Sequence, residues 1–531
     1  MKRSILLLAL LALCSMSCSD FLNVKPEESP SQGTFFRSDK DINEALNYCY
    51  WIIYELSRRE LYWEQAACGD DMIIGRSRPD EYHRIADFNF TGREGPLFEA
   101  TNPATKYLAG CNWVIYSLLR KGNLTEVENL RLGEAYFLRA FCHFFYAYRH
   151  GRPDQGVPFD RYEDFDPYEY GIPEQRASVM ENYDLIIQDL EKAAAIVPFF
   201  EDYGEEDYGR VHKAAVWGYM VKIYAYWAQH DPSKWALIPP LVDKMESEGR
   251  RGLLSSYADV FLMANNWSKE YLWSVNSSGR INPTGSVIPG VVLENKAWGR
   301  YNGWGYYKPT LGLYNEFAEG DQRRGVTMLE YDDEFVLFGE TRRFYSTSDD
   351  ESGFMINKYM EPFSYGEVYA DGHGESPYVN TNGDWMVTDL NLPFMRHAEI
   401  VLFKAEALIM QGNGAAAATE LNRLTSRAGL GNVYTSATLD DLKHERRCEL
   451  ACEPTDRFMD LKRWQDWDKL NAPRMIRQYA DRGDPKSTWV EAQSASWGAP
   501  RNFNPATDIA FPYNPDDVTK ADGKLKQNPM D

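Results

Sequence analysis

The chain has 531 residues, with 57 Lys plus Arg against 79 Asp plus Glu and a formal charge of −22. That carboxylate excess disfavours a nucleic-acid backbone as partner, because such binding rests on displacing counterions with Lys and Arg, and it disfavours docking on anionic lipid by charge alone. Apolar residues at 44% suffice for a large buried core, and beyond the N-terminus no run approaches the about 18 apolar residues of a spanning helix.

Met1-Lys2-Arg3 is a basic start, Ile5 to Leu13 is an unbroken apolar stretch, and Ser15-Met16-Ser17 is small and uncharged before Cys18. This order predicts a signal peptide over 1–17 rather than a membrane span. The segment resembles a bacterial lipobox, which implies cleavage before Cys18 and acylation of its thiol. Residues 18–40, broken by Pro26, Pro30 and Gly33, read as a lipidated tether.

Helical spacing then predicts helices over Asp41 to Leu56, Thr105 to Leu119, Glu126 to Tyr148, Val179 to Ile196 and Val211 to Ala228, with a shorter one to about Met245. The stretch 67–101 reads as loop. Rings at Tyr136, Phe137, Phe141, Phe144, Phe145 and Tyr148 recur three and four apart, so Glu126 to Tyr148 is the strongest helix of the chain. Residues 251–390 are rich in Gly, Asn, Trp and Tyr, with β-like pieces and no sustained helical period. Helices return over Pro393 to Met410, Ala415 to Ala428, Leu439 to Ala451 and Asp456 to Trp467, and 471–531 reads as an irregular, Pro-rich tail. Helix pairs at this spacing predict a mainly α, helical-repeat scaffold over 41–250 and 391–531, interrupted by a loop-rich insert over 251–390.

Beyond Cys18, six Cys remain: Cys49, Cys68, Cys111, Cys142, Cys448 and Cys452. They are too sparse for a disulfide framework, and Cys448 and Cys452 read as small buried hydrophobes. No His-Glu-x-x-His, Gly-x-Ser-x-Gly or phosphate-binding glycine loop is present, so neither a catalytic centre nor a cofactor or metal site is expected. His143 reads as a satisfied core residue.

The aromatic stretch Trp298-Gly-Arg300-Tyr301-Asn302-Gly-Trp304-Gly-Tyr306-Tyr307 carries the binding expectation. A sugar ring has an apolar C–H face and a belt of hydroxyls, which a flat ring plus fixed polar groups can match. Rings spaced by glycines cannot form a regular core face, and Arg300 and Asn302 could meet hydroxyls. Arg76, Arg78 and Tyr82 in the first long loop are secondary candidates. Trp273 and Trp385 are more distant ones.

Several ordered segments resemble the SusD/RagB family of surface lipoproteins. They are Cys18-Ser-Asp-Phe-Leu-Asn-Val-Lys-Pro26, Gly133-Glu-Ala-Tyr-Phe-Leu-Arg-Ala140, Gly209-Arg-Val-His-Lys-Ala-Ala215 and Leu392-Pro-Phe-Met-Arg-His-Ala-Glu399 with Lys404-Ala-Glu-Ala407. Leu421-Asn-Arg423 with Ser426-Arg-Ala-Gly-Leu430, Glu445-Arg-Arg-Cys-Glu-Leu450 with Asp460-Leu-Lys-Arg-Trp464, and Gln527-Asn-Pro529 complete the set. The resemblance implies a SusD-like fold with four tetratricopeptide-like helix pairs and a few short strands. It implies a lipid-anchored, non-enzymatic protein of the outer-membrane surface that binds glycan and passes it to a SusC-like TonB-dependent transporter. The same fold leaves two alternatives, a peptide ligand as in the RagB branch or a structural lid on the transporter. Glu134, Arg139, Arg396, Glu399, Glu406, Arg446 and Arg457, which fall on these motifs, are expected to be buried ion-pair residues rather than ligand contacts.

Overall fold

The computed structural model describes residues 38–530 apart from 58–59, 76–77, 100, 165–172, 281–284, 293–300, 302, 345–351, 383–384, 456 and 480–487. The expected leader 1–17 and Cys18 lie outside the described residues. From the N-terminal side come α1 (Asp39–Leu56), α2 (Glu60–Cys68), the short strand β1 (Met72–Ile74) and α3 (Asp80–Ala86). Then follow α4 (Thr101–Lys121), α5 (Glu126–His150), α6 (Val179–Ile196), α7 (Lys213–Trp227) and α8 (Ile238–Ser247). The insert contributes β2 (Tyr271–Val275), β3 (Tyr307–Pro309), α9 (Leu311–Tyr314), β4 (Met328–Glu330), β5 (Phe354–Ile356) and β6 (Leu392–Arg396) among other short pieces. Helices resume as α10 (His397–Met410), α11 (Gly414–Arg427), α12 (Leu439–Leu450) and α13 (Arg457–Arg463), before a hairpin of β7 (Met475–Tyr479) and β8 (Trp489–Gln493).

The long helices pack in series, α1 on α4, α4 on α5, then α6, α7, α8, α10 and α11 in turn. Taken two by two these are four helix pairs, each burying a face on the next. Among the described residues the strands form only two-stranded sheets, including β1 with β3, β2 with β6 and β4 with β5. The fold is therefore mainly α, as expected, and no described helix is long and apolar enough to cross a membrane.

Helix α5 shows why the scaffold is stiff. Thr125 and Glu128 close a capping box at its start, and every residue from Arg131 to His150 is buried. A helix buried all round must satisfy its polar groups inside the protein. The Arg139 guanidinium donates to both oxygens of Asp189 on α6 at 2.7 and 2.8 Å, to Glu163 at 2.7 and 2.8 Å, and to Asn112 Oδ1 on α4 at 2.8 Å. Three layers are thereby tied at one side chain. Glu134 accepts from Tyr50 of α1 at 2.5 Å and from Arg210 at 3.1 Å, and it also pairs with Arg131. His143 lies 2.9 Å from Asn182 Nδ2, and burial, with Arg139 nearby, pushes its pKa well below the usual value. His212 caps α7, its ring accepting from the Ala215 amide at 3.3 Å.

The C-terminal half has a second ionic knot. Arg396 donates to Glu453 at 2.7 and 2.8 Å, to Glu449 at 2.7 Å and to Glu270 at 2.9 Å, while Arg427 and Arg323 also reach Glu449. Arg446 bridges Glu399 at 3.0 Å and Asp460 at 2.6 Å, and Arg463 holds Glu406. The motif residues expected in ion pairs are all so engaged. The six cysteines among the described residues are all buried.

Three stretches depart from the sequence expectations. Leu392 to Arg396 is a fully buried strand paired with β2, not the first turn of a helix. Pro393 and a continuous apolar run suit a buried strand, and the helix begins only at His397. The segment 67–101 holds α3, whose apolar face (Tyr82, Ile85 and Ala86) spans too few turns to register as a period. The tail holds the β7–β8 hairpin, whose short strands carry no clean alternation.

Candidate functional site

The aromatic stretch and the first long loop are adjacent in space because β1 and β3 pair antiparallel. Met72 faces Pro309, Ile73 faces Lys308, and Ile74 faces Tyr307. The Gly75 amide extends the ladder, donating to the Tyr306 carbonyl at 2.6 Å. A Cβ on Gly75 would sit 2.2 Å from the Gly305 carbonyl oxygen, so the two backbones approach as only glycine allows.

Trp304 and Tyr306 flank Gly305, whose φ of +59° turns the backbone between them, and their rings are parallel, 5.8 Å apart with planes 7° from each other. Arg78 comes in from the first loop. It donates to the Tyr306 hydroxyl at 3.2 Å and to the Tyr82 hydroxyl at 3.0 Å, and its guanidinium lies 4.7 and 4.4 Å from the two ring centres. Tyr82 in turn meets Trp63 of α2 edge-on at 6.1 Å. Four of the expected site residues, Arg78, Tyr82, Trp304 and Tyr306, thus form one layered cluster.

Within that cluster the roles differ from the expectation of a strip of exposed rings. Tyr82 at 5% exposure and Tyr306 at 7% are covered. They brace Arg78 and Trp304 rather than present faces. Trp304 is half-buried, and so is Arg78. Tyr307 is 2% exposed, in the main core, with its ring 6.0 Å from that of Tyr306. Tyr301 is also buried. Its ring packs on Phe338 and Phe363, and its hydroxyl donates to the carbonyls of Ser376 at 3.3 Å and Val379 at 3.2 Å. Tyr301 and Tyr307 are therefore core residues, since a buried ring has no face to offer. Trp273 is likewise packed, 4.9 Å from Phe137. Arg76, Trp298, Arg300 and Asn302 lie outside the described residues, as does the side chain of Trp385.

What sequence reasoning missed is how this corner is fixed. The C-terminal carbonyls of α2 lead directly into β1, and two buried arginines from distant parts of the chain hold them. Arg474 donates to Ala66 at 2.8 Å and Ala67 at 3.0 Å, and Arg501 donates to Ala67, Cys68 and Gly69 at 3.0, 2.9 and 3.1 Å. Cations at a helix C-terminus also oppose its partial negative charge. Burial, with Arg501 beside it, brings the Arg474 guanidinium down to about 9. Next in the chain, Arg457 grips Asp70 with two bonds of 2.8 Å, and Arg447 reaches Asp71 at 2.7 Å. Burial alone would raise the Asp70 pKa, but Arg457 and Arg447 hold it well below the carboxylate range. Thr310 closes the other end, its amide donating to Asp71 O at 2.9 Å and its hydroxyl to Asp70 O at 3.0 Å. No local pattern marks Arg474 or Arg501, whose partners lie more than 400 residues away. Among the described residues this corner is held rigidly and brings a ring and a guanidinium together. Among the described residues no cluster of three or more His, Cys, Asp or Glu could hold a metal.

Comparisons with known proteins agree with this architecture. A family model described as "SusD family" matches residues 261–530, and one described as "Starch-binding associating with outer membrane" matches residues 20–225. The chain is 24% identical over 487 residues to SusD-like protein P38 of Formosa agariphila, covering 84% of this chain and 88% of that one. It is 21% identical over 501 residues to SusD-like protein P25 of the same organism, covering 87% and 90%. Among solved structures, surface glycan-binding protein A from Bacteroides fluxus superposes with a TM-score of 0.71 at 22% identity, over 93% of this chain and 99% of that one. A SusD-like protein from Bacteroides fragilis gives 0.74 at 19% identity, over 94% and 99%. Surface glycan-binding protein A from Bacteroides thetaiotaomicron in complex with laminarihexaose gives 0.69 at 20% identity, over 92% and 99%.

Proposed function

Because the chain belongs to the SusD family, we propose that it is a cell-surface glycan-binding lipoprotein that captures oligo- or polysaccharide and delivers it to a SusC-like TonB-dependent transporter. The observation that carries the ligand class is the Trp304 indole, half-buried on Tyr306 and flanked by Arg78. A fixed ring presents an apolar surface to the C–H face of a pyranose, and the guanidinium beside it can donate to a hydroxyl. Solved proteins of the same fold, a laminarin-binding SusD-like protein and a surface glycan-binding protein in complex with laminarihexaose, support the same ligand class.

The remaining parts follow from the N-terminus. Acylation of Cys18 after loss of 1–17 would tether the scaffold to the outer membrane, and more than one acyl chain would make the attachment stable. Tethering raises the local concentration of captured glycan at a neighbouring transporter, so a modest affinity suffices. The protein acts by holding and handing over, not by bond cleavage. Calorimetric titration of the mature chain with laminarin, amylopectin, xyloglucan and galactomannan, and separately with a tryptic peptide mixture, tests the reading. Saturable heat with at least one glycan and none with peptides is the expected result. Binding to peptides alone would transfer the protein to a peptide-capture role.

A further inference from the structure

A second aromatic surface lies on the β7–β8 hairpin, in the tail that the sequence left irregular. Cross-strand pairing sets Tyr479 opposite Trp489 and Arg477 opposite Glu491, which places all four on one face of the hairpin. Trp489 is 42% exposed, although a solvent-facing indole forfeits much of the gain of burial. Its orientation is nonetheless fixed. The Arg477 guanidinium lies 4.0 Å from the centre of the Trp489 ring system and, from there, 4.4 Å from Tyr314 and 5.1 Å from Phe354. Tyr314 and Phe354 are themselves stacked at 4.8 Å, with planes 23° apart. Arg477 also pairs with Glu330, which accepts from the Tyr314 hydroxyl at 2.7 Å. Beside the indole, Tyr331 stacks on Tyr479 at 3.9 Å. The result is a pedestal of rings, a guanidinium and an outermost indole.

We infer that Trp489 is a second sugar-stacking platform, and that its occupant is a neutral pyranose unit of the glycan held at Trp304. This rests on the glycan-binding reading above. A flat, oriented, half-exposed indole rimmed by polar groups matches a pyranose face. With Arg477 and Glu330 paired to each other, Glu491 on the same face leaves the rim negative, which disfavours an acidic or sulfated chain. The two platforms are also joined by the chain. Trp304, β3 and α9 run continuously to Tyr314 in the pedestal, a span of at most about 35 Å of backbone, which one polysaccharide can bridge. A polymer engaging both rings gains over a fragment that fits only one.

Affinity electrophoresis of the full mature chain in gels cast with laminarin, amylopectin, xyloglucan or galactomannan tests this. Trp489→Ala should weaken retardation by the bound polysaccharide about three- to tenfold, with the thermal midpoint unchanged because the ring is at the surface. Trp489→Phe should recover most of the loss. Unchanged retardation of Trp489→Ala, while Trp304→Ala loses it, overturns the second platform and leaves the glycan-binding reading standing. If Trp489→Ala instead alters only self-association on gel filtration, the platform is a contact between copies and the inference fails. Absence of retardation of the unmodified chain in every gel removes both.

Discussion

Replacing Arg396 by Met should destabilise the protein by about 3–5 kcal/mol, read as a fall in the urea midpoint without a change in slope. Arg396 is 1% exposed and serves Glu270, Glu449 and Glu453 at once, so its loss strands carboxylates inside the protein. Arg427 and Arg323 still reach Glu449, and Lys358 still reaches Glu453 at 2.7 Å, which sets the upper end of the expected range. The same knot makes stability depend on acid. Burial would raise the Glu449 pKa, but Arg427, Arg396 and Arg323 hold it well below the usual carboxylate value. A carboxylate depressed in the folded state contributes stability above its unfolded pKa, near 4.3 for Glu, and loses it as pH falls toward the folded value. The urea midpoint of the unmodified chain should therefore drop steadily below about pH 4, and Arg396→Met should flatten that slope. A variant as stable as the parent would mean the pairs are offset by their own desolvation.

The second large effect is expected at Arg501. Arg501→Ala leaves the carbonyls of Cys68 and Gly69 without the donor that now meets them, a loss of about 2–3 kcal/mol for buried acceptors. Arg474 still holds Ala66 and Ala67, so α2 should persist while its exit loosens. That exit leads through Asp70 and Asp71 into β1, which pairs with the strand following Trp304. Glycan affinity should fall together with stability, although Arg501 is far in sequence from Trp304 and touches none of the cluster's rings. A variant that loses stability but keeps full affinity would show that β1 does not need its anchor.

Much of the fold was legible because its signals are local. The rings of α5 recur at helical steps, Val179–Ile196 was placed with its observed bounds, and motif arginines such as Arg139 and Arg446 pair as expected. The illegible parts depend on register or on distant partners. Tyr306 and Tyr307 both lie in the main core with rings 6.0 Å apart, and nothing local in their ring-rich stretch marks them as covered. Tyr301 reads as part of one strip but is captured by Phe338 and Phe363, which no local signal brings near it. Pro393 passed for a helix start because the apolar run around it fits a buried strand and a helix equally well. Arg78 and Tyr82 stand out in sequence only as candidates in the first long loop, and the β1–β3 pairing is what sets Arg78 against Tyr306.

In the proposed function the main grip on sugar is the Trp304 ring, held still by Tyr306 and Arg78. Calorimetric titration of Trp304→Ala, beside the unmodified mature chain and with the polysaccharide that binds best, tests that most directly. A loss of affinity of at least tenfold with the unfolding free energy kept within about 1 kcal/mol of the parent is the predicted result. Affinity equal to that of the parent would contradict it and move the binding surface away from the β1–β3 corner.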